Sequence, residues 1–262
     1  MKTIFAIFSI ILILFIWSVF VEPNVLRIRK YQIANPDLRG LRVVFAADFH
    51  YKPYEKWRLE RDVKAINSQN ADIVLLGGDY VNGHKKGFTL PIEEISAEFS
   101  KIKSKYGVYA VLGNHDGWHD KDGITKSLEA NGIKVLENSA VRIEAPKPFY
   151  IAGVEDMQTG NADIQEALAG TDRSVILLSH TPDIIESVPY GVKLVLAGHL
   201  HGGQVRLPLH GPLVVPSKFG TKYASGFFDE NGKKLIVTKG LGTSILPLRF
   251  HCMPEIIVIE HT

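Results

Sequence analysis

Cysteine is nearly missing from this chain: Cys252 is the only one in 262 residues. A lone thiol cannot close an intrachain disulfide, so no disulfide framework supports the fold. Any metal site must then be built from His, Asp, Asn and Glu. The sequence also lacks like-charge blocks, low-complexity tracts and internal repeats. With 22% charged residues and a formal net charge of +2, it offers no electrostatic footing for a nucleic-acid partner. Nothing in it calls for an obligate protein partner. The length fits one large domain or two small ones, and no linker interrupts residues 41–262.

One long hydrophobic run is present. From Ile4 to Val21 the sequence is apolar except for Ser9 and Ser18, with no charge, Gly or Pro. As a helix it would extend roughly 27 Å, near the hydrocarbon thickness of a bilayer. A buried core helix rarely lacks a polar face over this length. A cleaved signal peptide is the closer rival, but the stretch ending at Glu22-Pro23 has no small-x-small cleavage site. Residues 1–21 are therefore expected to be an uncleaved single-pass anchor, residues 22–40 a juxtamembrane connector, and 41–262 the catalytic domain. Arg27, Arg29, Lys30, Arg39 and Arg42 follow the run, against Lys2 before it, so the positive-inside rule expects the domain on the cytoplasmic side. The alternative is an outward-facing domain.

After the anchor, short apolar runs end in polar clusters. Arg42–Ala47 leads to Asp48-Phe49-His50, and Asp72–Leu76 leads to Gly77-Gly78-Asp79. Val108–Leu112 leads to Gly113-Asn114-His115-Asp116, and Ser174–Ser179 leads to His180. Val192–Ala197 leads to Gly198-His199-Leu200-His201-Gly202-Gly203-Gln204. On extended chain, His199 and His201 would project to one side, with Leu200 turned into packing. Alone, this His-x-His fits a metal site and two solvated loop histidines equally well. The other clusters change that balance. Leu59, Val63 and Ile66 predict a helix within 55–70, and Phe88, Ile92, Ile95, Phe99 and Ile102 predict another over 89–104. Alternating strands and helices argue for largely parallel sheets, whose ligand sites form beyond the carboxyl ends of the strands. Short strands crowd the second half, and two packed sheets with helices outside are expected.

Collected, the strand-end groups are Asp48, His50, Asp79, Asn114, His115, His180, His199 and His201. Imidazole and carboxylate without thiolate suit manganese, iron or zinc. Eight groups exceed one closed tetrahedral site and fit two divalent ions with open positions, the arrangement used for phosphoryl chemistry.

The order Asp-x-His, Gly-Gly-Asp, Gly-Asn-His-Asp, lone His and Gly-His-x-His resembles the calcineurin-like metallophosphoesterases over about residues 41–260. The resemblance implies a four-layered α/β/β/α sandwich with two divalent ions, manganese first, iron or zinc otherwise. It implies that Asp48, His50, Asp79 and His201 hold one ion, that Asp79 bridges, and that Asn114, His180 and His199 complete the second site. It further implies that His115 protonates or stabilises the leaving-group oxygen while Asp116 orients its ring. The hydrophobic N-terminus, Tyr80 after Asp79, Gln204 and Arg249 resemble a membrane-associated subgroup of small bacterial phosphodiesterases. That subgroup is similar to one type of UDP-2,3-diacylglucosamine diphosphatase of lipid A synthesis.

The expected function is thus hydrolysis of phosphodiester or pyrophosphate bonds at the membrane, on a phosphate-ester or nucleotide-lipid substrate. An outward-facing phosphatase or phosphodiesterase acting on nucleotides or cell-wall phosphates is the alternative. A non-catalytic scaffold of the same fold is the alternative of another class. Lys52, Arg206 and Arg249 are candidate substrate contacts. His84, His119, His210, His251 and His261 are expected to be surface or loop histidines. Trp118, Phe219, Phe227 and Phe228 are expected to pack, and Cys252 to be a small buried hydrophobe.

Overall fold

The computed structural model describes every residue except 84–86 and 173. His84 lies outside the described residues.

The N-terminal helix α1 (Lys2–Ile16) continues without a break through Trp17–Val21 and Glu22–Asn24, and it is long and apolar enough to cross a membrane. The first half of the chain supplies β1 (Arg27–Ile33), β2 (Arg42–Ala46), β3 (Ile73–Leu76), β4 (Val108–Ala110) and β5 (Ile133–Val135). The second half supplies β6 (Ser139–Ile143), β7 (Phe149–Gly153), β8 (Val175–Leu178) and β9 (Val192–Ala197). It also supplies a small ribbon, β10 (Arg206–Leu207) with β11 (Gly211–Pro212). Then come β12 (Gly226–Glu230), β13 (Lys233–Val237) and β14 (Glu255–His261). One sheet has the order β1-β14-β2-β3-β4-β5 and the other β12-β13-β9-β8-β7-β6. The central strands β2 to β5 run parallel, as do β13, β9, β8 and β7.

Alternation along the buried strands builds the layers. Val43, Phe45, Ile73 and Leu75 face the second sheet's Ile176, Leu178, Leu194 and Leu196 in one core. Their neighbours Val44, Ala46, Val74 and Leu76 face the opposite way, onto helices α2 (Lys56–Asn67), α3 (Ile92–Phe99) and α4 (Asn114–Ala130). Val175, Leu177, Val195 and Ala197 cover the far face of the second sheet, with the short α5 (Ile164–Ala167). The result is the expected four-layered α/β/β/α sandwich. Fully apolar strands of this kind are what parallel sheets covered on both faces require.

Three elements depart from expectation. β1 lies within the stretch expected to be connector, pairing parallel to β14 from Arg27↔Glu255 to Ile33↔His261. Its residues are mostly exposed, so it shows no apolar alternation, and its basic side chains suit a protected sheet edge. α3 is shorter than 89–104, starting after Pro91 and ending at Phe99, with Phe88 exposed. α4 had no apolar stripe to announce it: Ile124 and Leu128 are its only buried hydrophobics, and Asp120 breaks its helical backbone. His261 is also not a surface residue. It is buried in β14, and burial pushes its imidazole down to about 4.

Candidate metal centre

All the strand-end groups meet at one edge of the two sheets. Ligand atoms of Asp48, His50, Asp79 and His201 lie within 4.8 Å of one another, as do those of Asp79, His180 and His199. The two groups share Asp79. Its Oδ2 is 3.3 Å from Nε2 of His50 on one side and 3.3 Å from Nε2 of His180 on the other. His50 Nε2 is 3.0 Å from His201 Nε2, and His180 Nε2 is 3.0 Å from Asn114 Oδ1 and 3.2 Å from His199 Nδ1.

The backbone achieves this by an unusual route. Asp48, His50, Asp79, His199 and His201 all have φ between 44° and 69°. Non-glycine residues rarely occupy this left-handed region, and a concentration of them such as this one is typical of functional sites. The expectation that His199 and His201 project together from extended chain is therefore corrected. The chain turns at each histidine, sending His199 to His180 and His201 to His50. Leu200 between them is buried in the core, as expected. Packing around the turns leaves no room for side chains. A Cβ on Gly113 would lie 2.2 Å from Asp79 Oδ1, and one on Gly242 would lie 2.2 Å from the Phe49 carbonyl.

These residues fit a pair of cations. Six nitrogen- and oxygen-bearing side chains, Asp48, His50, Asp79, His180, His199 and His201, crowd around two points in a buried space, where unpaired polar groups are costly. Protons are the only other way to relieve them. Burial pushes the Asp48 carboxyl up to about 6. Burial works against charge on His180, yet Asp79 and Asp48 lift it to about 10. Burial also drives His199 down to about 4. A hard or borderline divalent ion at each point satisfies the same donors without protons.

Surrounding groups orient the ligands. His180 Nδ1 pairs with the Gly77 carbonyl at 2.7 Å, and Gln158 Nε2 lies 3.0 Å from His199 Nε2, leaving Nδ1 of His199 to face His180. Backbone N–H of His199 donates to Asp48 at 2.9 Å, and that of His115 to Asp79 Oδ1 at 2.9 Å. Arg58, buried in α2, donates to the Phe49 and His50 carbonyls at 2.6 and 3.2 Å. Asp156 anchors the loop of Gln158 by accepting from the amides of Gln158 and Thr159, each at 2.9 Å. Gln158, Asp156 and Arg58 escaped sequence reasoning. Asp156 and Gln158 follow the end of β7, and the same strand-end pattern that flagged the other ligands would have found them.

His115 sits at the lip. Its Nε2 is 3.4 Å from Ser244 Oγ, its ring is 5.3 Å from the Trp118 ring, and burial together with His50 pushes it down to about 4. Trp118 is half exposed and stands against this ring, so it does not simply pack in the interior. Asp116 does not reach back to orient that ring. Its carboxylate accepts from the amides of Gly113, Asp79, Tyr80 and Val81 at 2.9, 2.7, 2.9 and 3.3 Å. It joins the β3 and β4 ends to each other, and burial raises it to about 7.

The candidate substrate contacts separate. Arg249 is fully buried and donates to the carbonyls of Gly242, Cys252, Lys239 and Gly240, so it cannot meet a substrate. A single guanidinium is satisfying the carbonyls of the turns behind Asp48. Arg206 is tied to the Gly202 carbonyl at 3.0 Å. Lys52 Nζ, 3.2 Å from Thr243 Oγ1, is partly buried and lowered by that burial. His119 pairs through Nδ1 with the Gly83 carbonyl and lies outside both ligand groups. Cys252 is buried, its thiol 3.2 Å from the His201 carbonyl.

The sequence model described as calcineurin-like phosphoesterase matches residues 41–203. The chain is 30% identical over 249 residues to Phosphodiesterase YaeI of Escherichia coli (strain K12), covering 91% of this chain and 89% of that one. It is 29% identical over 255 residues to the uncharacterized metallophosphoesterase YkuE of Bacillus subtilis (strain 168), covering 91% and 86%. A 28% identity over 239 residues relates it to the Transmembrane protein with metallophosphoesterase domain of Danio rerio, covering 84% of this chain and 52% of that one.

Proposed function

The chain belongs to the calcineurin-like phosphoesterase family and is a metal-dependent phosphoesterase; from that premise we propose that it hydrolyses a phosphodiester or pyrophosphate bond of a lipid-linked substrate while anchored in a membrane. The observation that carries this reading is the single Asp79 oxygen placed 3.3 Å from imidazoles of both ligand groups. Asp48, His50, Asp79 and His201 would hold one divalent ion, and Asp79, Asn114, His180 and His199 the other. Manganese is the first choice, with iron or zinc accepted by the same donors. When bound, the two ions supply Lewis acidity, making water a competent nucleophile at neutral pH and neutralising charge on phosphoryl oxygens.

The chain's own residues do the rest. Asp79 holds the two halves of the site in register. The Gly77 carbonyl and Gln158 set which nitrogens of His180 and His199 face inward. His115, kept neutral by burial, donates a hydrogen bond to the oxygen of the departing group; a neutral imidazole stabilises that oxygen rather than carrying a positive charge to it. Ser244 steadies His115 from outside. Lys52 stands at the edge where a substrate phosphate would pass, its charge desolvated and held beside Thr243. Complete ligand sets disfavour a scaffold, since so many buried carboxylates and imidazoles are costly to keep unused.

The helix Lys2–Asn24, nearly all exposed, supports the anchor. For the substrate, UDP-2,3-diacylglucosamine is the specific candidate, carried by the subgroup resemblance. The test is manganese-dependent release of UMP from that lipid, run beside a soluble aryl phosphodiester. Cleavage of the aryl ester with the lipid untouched would remove this substrate and leave the phosphoesterase standing. Protease digestion of the domain in intact cells would move it to the outer face.

A further inference from the structure

The anchor helix is not a loose tether. Its last turns are docked on the catalytic domain: Ser18 and Glu22 are buried, unlike the rest of the helix. The Ser18 carbonyl accepts from the Arg249 amide at 2.9 Å. The Glu22 carboxylate accepts from Trp17 Nε1 at 3.0 Å and from the Cys252 amide. Arg249 is itself rooted in the turns behind Asp48, so the helix is fixed relative to the metal centre.

That attachment has a consequence for depth. The uncharged stretch between Lys2 and Glu22 is Thr3–Val21, which as a helix extends roughly 28 Å. A hydrocarbon core of about 30 Å consumes all of it. Ser18 then lies about one helical turn below the surface, and the Arg249 backbone bonded to it lies at the same level. A polar loop there would be costly, and the exposed side chains just before Arg249 are apolar. Ile245 and Leu246 precede Arg249, and both are exposed, Ile245 by 98%. The Arg206 amide donates to the Phe250 carbonyl at 2.9 Å, which ties in the β10–β11 ribbon and its exposed Leu207, Leu209, Leu213 and Val214.

Two of these residues are also held in unfavourable backbone. Ile245 has φ 61° and Leu209 φ 64°. A β-branched residue in the left-handed region is an outlier, and no buried contact compensates for it in water. Arg27, Arg29 and Lys30 follow directly after the helix and are exposed, as anionic head groups would require.

Resting on the anchored-enzyme reading, we infer that Leu207, Leu209, Leu213, Val214, Ile245 and Leu246 form a rim that enters the boundary between head groups and acyl chains of the bilayer. The domain sits down on the membrane. The loop that carries Ile245 and Leu246 also carries Ser244, the neighbour of His115, and Gln204 clamps that residue from both sides, accepting from its amide at 2.7 Å and donating to its carbonyl at 2.8 Å. Rim and catalytic lip are thus adjacent residues, and a phosphodiester borne by a lipid reaches the metals from the bilayer surface.

Depth-dependent quenching of the full chain in phosphatidylcholine–phosphatidylglycerol nanodiscs tests this. An environment-sensitive probe is placed by Leu209→Cys, Ile245→Cys, Tyr190→Cys or Phe8→Cys; Cys252 is buried, its thiol raised by burial, and does not compete for label. Tyr190 is exposed before β9, at the strand end opposite His199. Lipids with a nitroxide at the top of the acyl chain should remove most of the emission at positions 209 and 245 and little at 190. If 209 and 245 behave like 190 while position 8 is quenched, the rim is wrong and the anchor stands. If position 8 is unquenched, the anchor fails, and the rim with it. Positions 209 and 245 shielded from aqueous iodide but untouched by nitroxide lipid would mean a second copy of the chain covers the patch, which overturns the inference.

Discussion

Gln158 Nε2 lies 3.0 Å from His199 Nε2, so an amide from the loop after β7 decides which nitrogen of a β9 histidine faces the metal centre. A partner beside the ring nitrogen that faces away from the centre holds the imidazole in one orientation. Gln158→Ala should lower metal affinity by roughly 10–100-fold. Competition with a graded series of chelators would read it. Unchanged affinity, with activity also unchanged, would mean the contact is incidental.

Asp79 faces both ligand groups, so its loss cannot be confined to one of them. Asp79→Asn removes the charge while keeping the shape and should abolish turnover and bound metal together. The fold should survive, because the carboxylate is held by a single backbone amide, that of His115. Metal content by elemental analysis is the direct measurement. A protein that still binds one equivalent tightly would show that the two groups do not depend on a shared oxygen.

His115 differs from the ligands in its surroundings: it lies near Ser244 and Trp118 and outside both ligand groups. His115→Gln keeps a donor at the lip but not an imidazole. Turnover should fall by roughly 10²–10⁴-fold with metal content unchanged. The loss should shrink for substrates whose leaving group is already a weak base, such as nitrophenol esters, because these need least help at the departing oxygen. Equal losses on good and poor leaving groups would sink this role.

Most of the centre was legible because its ligands sit where buried apolar runs stop, and the sandwich because those runs alternate with helical spacing. What stayed hidden has physical reasons. Side-chain period two describes extended chain, and the left-handed turns at His199 and His201 replace it, so the pattern marks both histidines but not the separate directions they take. Helix α4 buries Ile124 and Leu128 and otherwise presents polar residues and glycines, which leaves no stripe. β1 earns its place through main-chain bonds to β14, and main-chain bonds leave little mark on residue type. Arg249 and Asp116 looked like site residues since charged groups near motifs usually are. Both are instead spent on backbone groups.

For Arg249 the distinction is measurable. A substrate contact would cost affinity for substrate; a buried guanidinium serving carbonyls would cost stability. Arg249→Met leaves those acceptors unpaired in the interior, each worth about 1–3 kcal/mol. The variant should lose at least about 3 kcal/mol and release metal more readily, because the same turns back Asp48 and His201. Denaturation in detergent without substrate is the appropriate assay. Normal stability with a raised KM would restore Arg249 to the substrate.

His261 gives a pH dependence that is independent of the metals. It is buried at the end of β14, and burial, aided by the nearby Lys234, pushes its imidazole from the ordinary 6.5 to about 4. The unfolded chain therefore takes up a proton near pH 6.5 that the folded chain refuses until about pH 4. Stability from this group is complete above 6.5, declines as pH falls towards 4, and changes no further below that. The size is on the order of 3 kcal/mol from the spacing of the two values. His261→Leu fills a similar space without a titrating group, and should flatten the fall in denaturation midpoint between pH 7 and pH 5. The comparison is best made on metal-free protein, so that ligand protonation at the centre affects both proteins alike. Parallel curves for the two would show that the folded protein accommodates a charged His261.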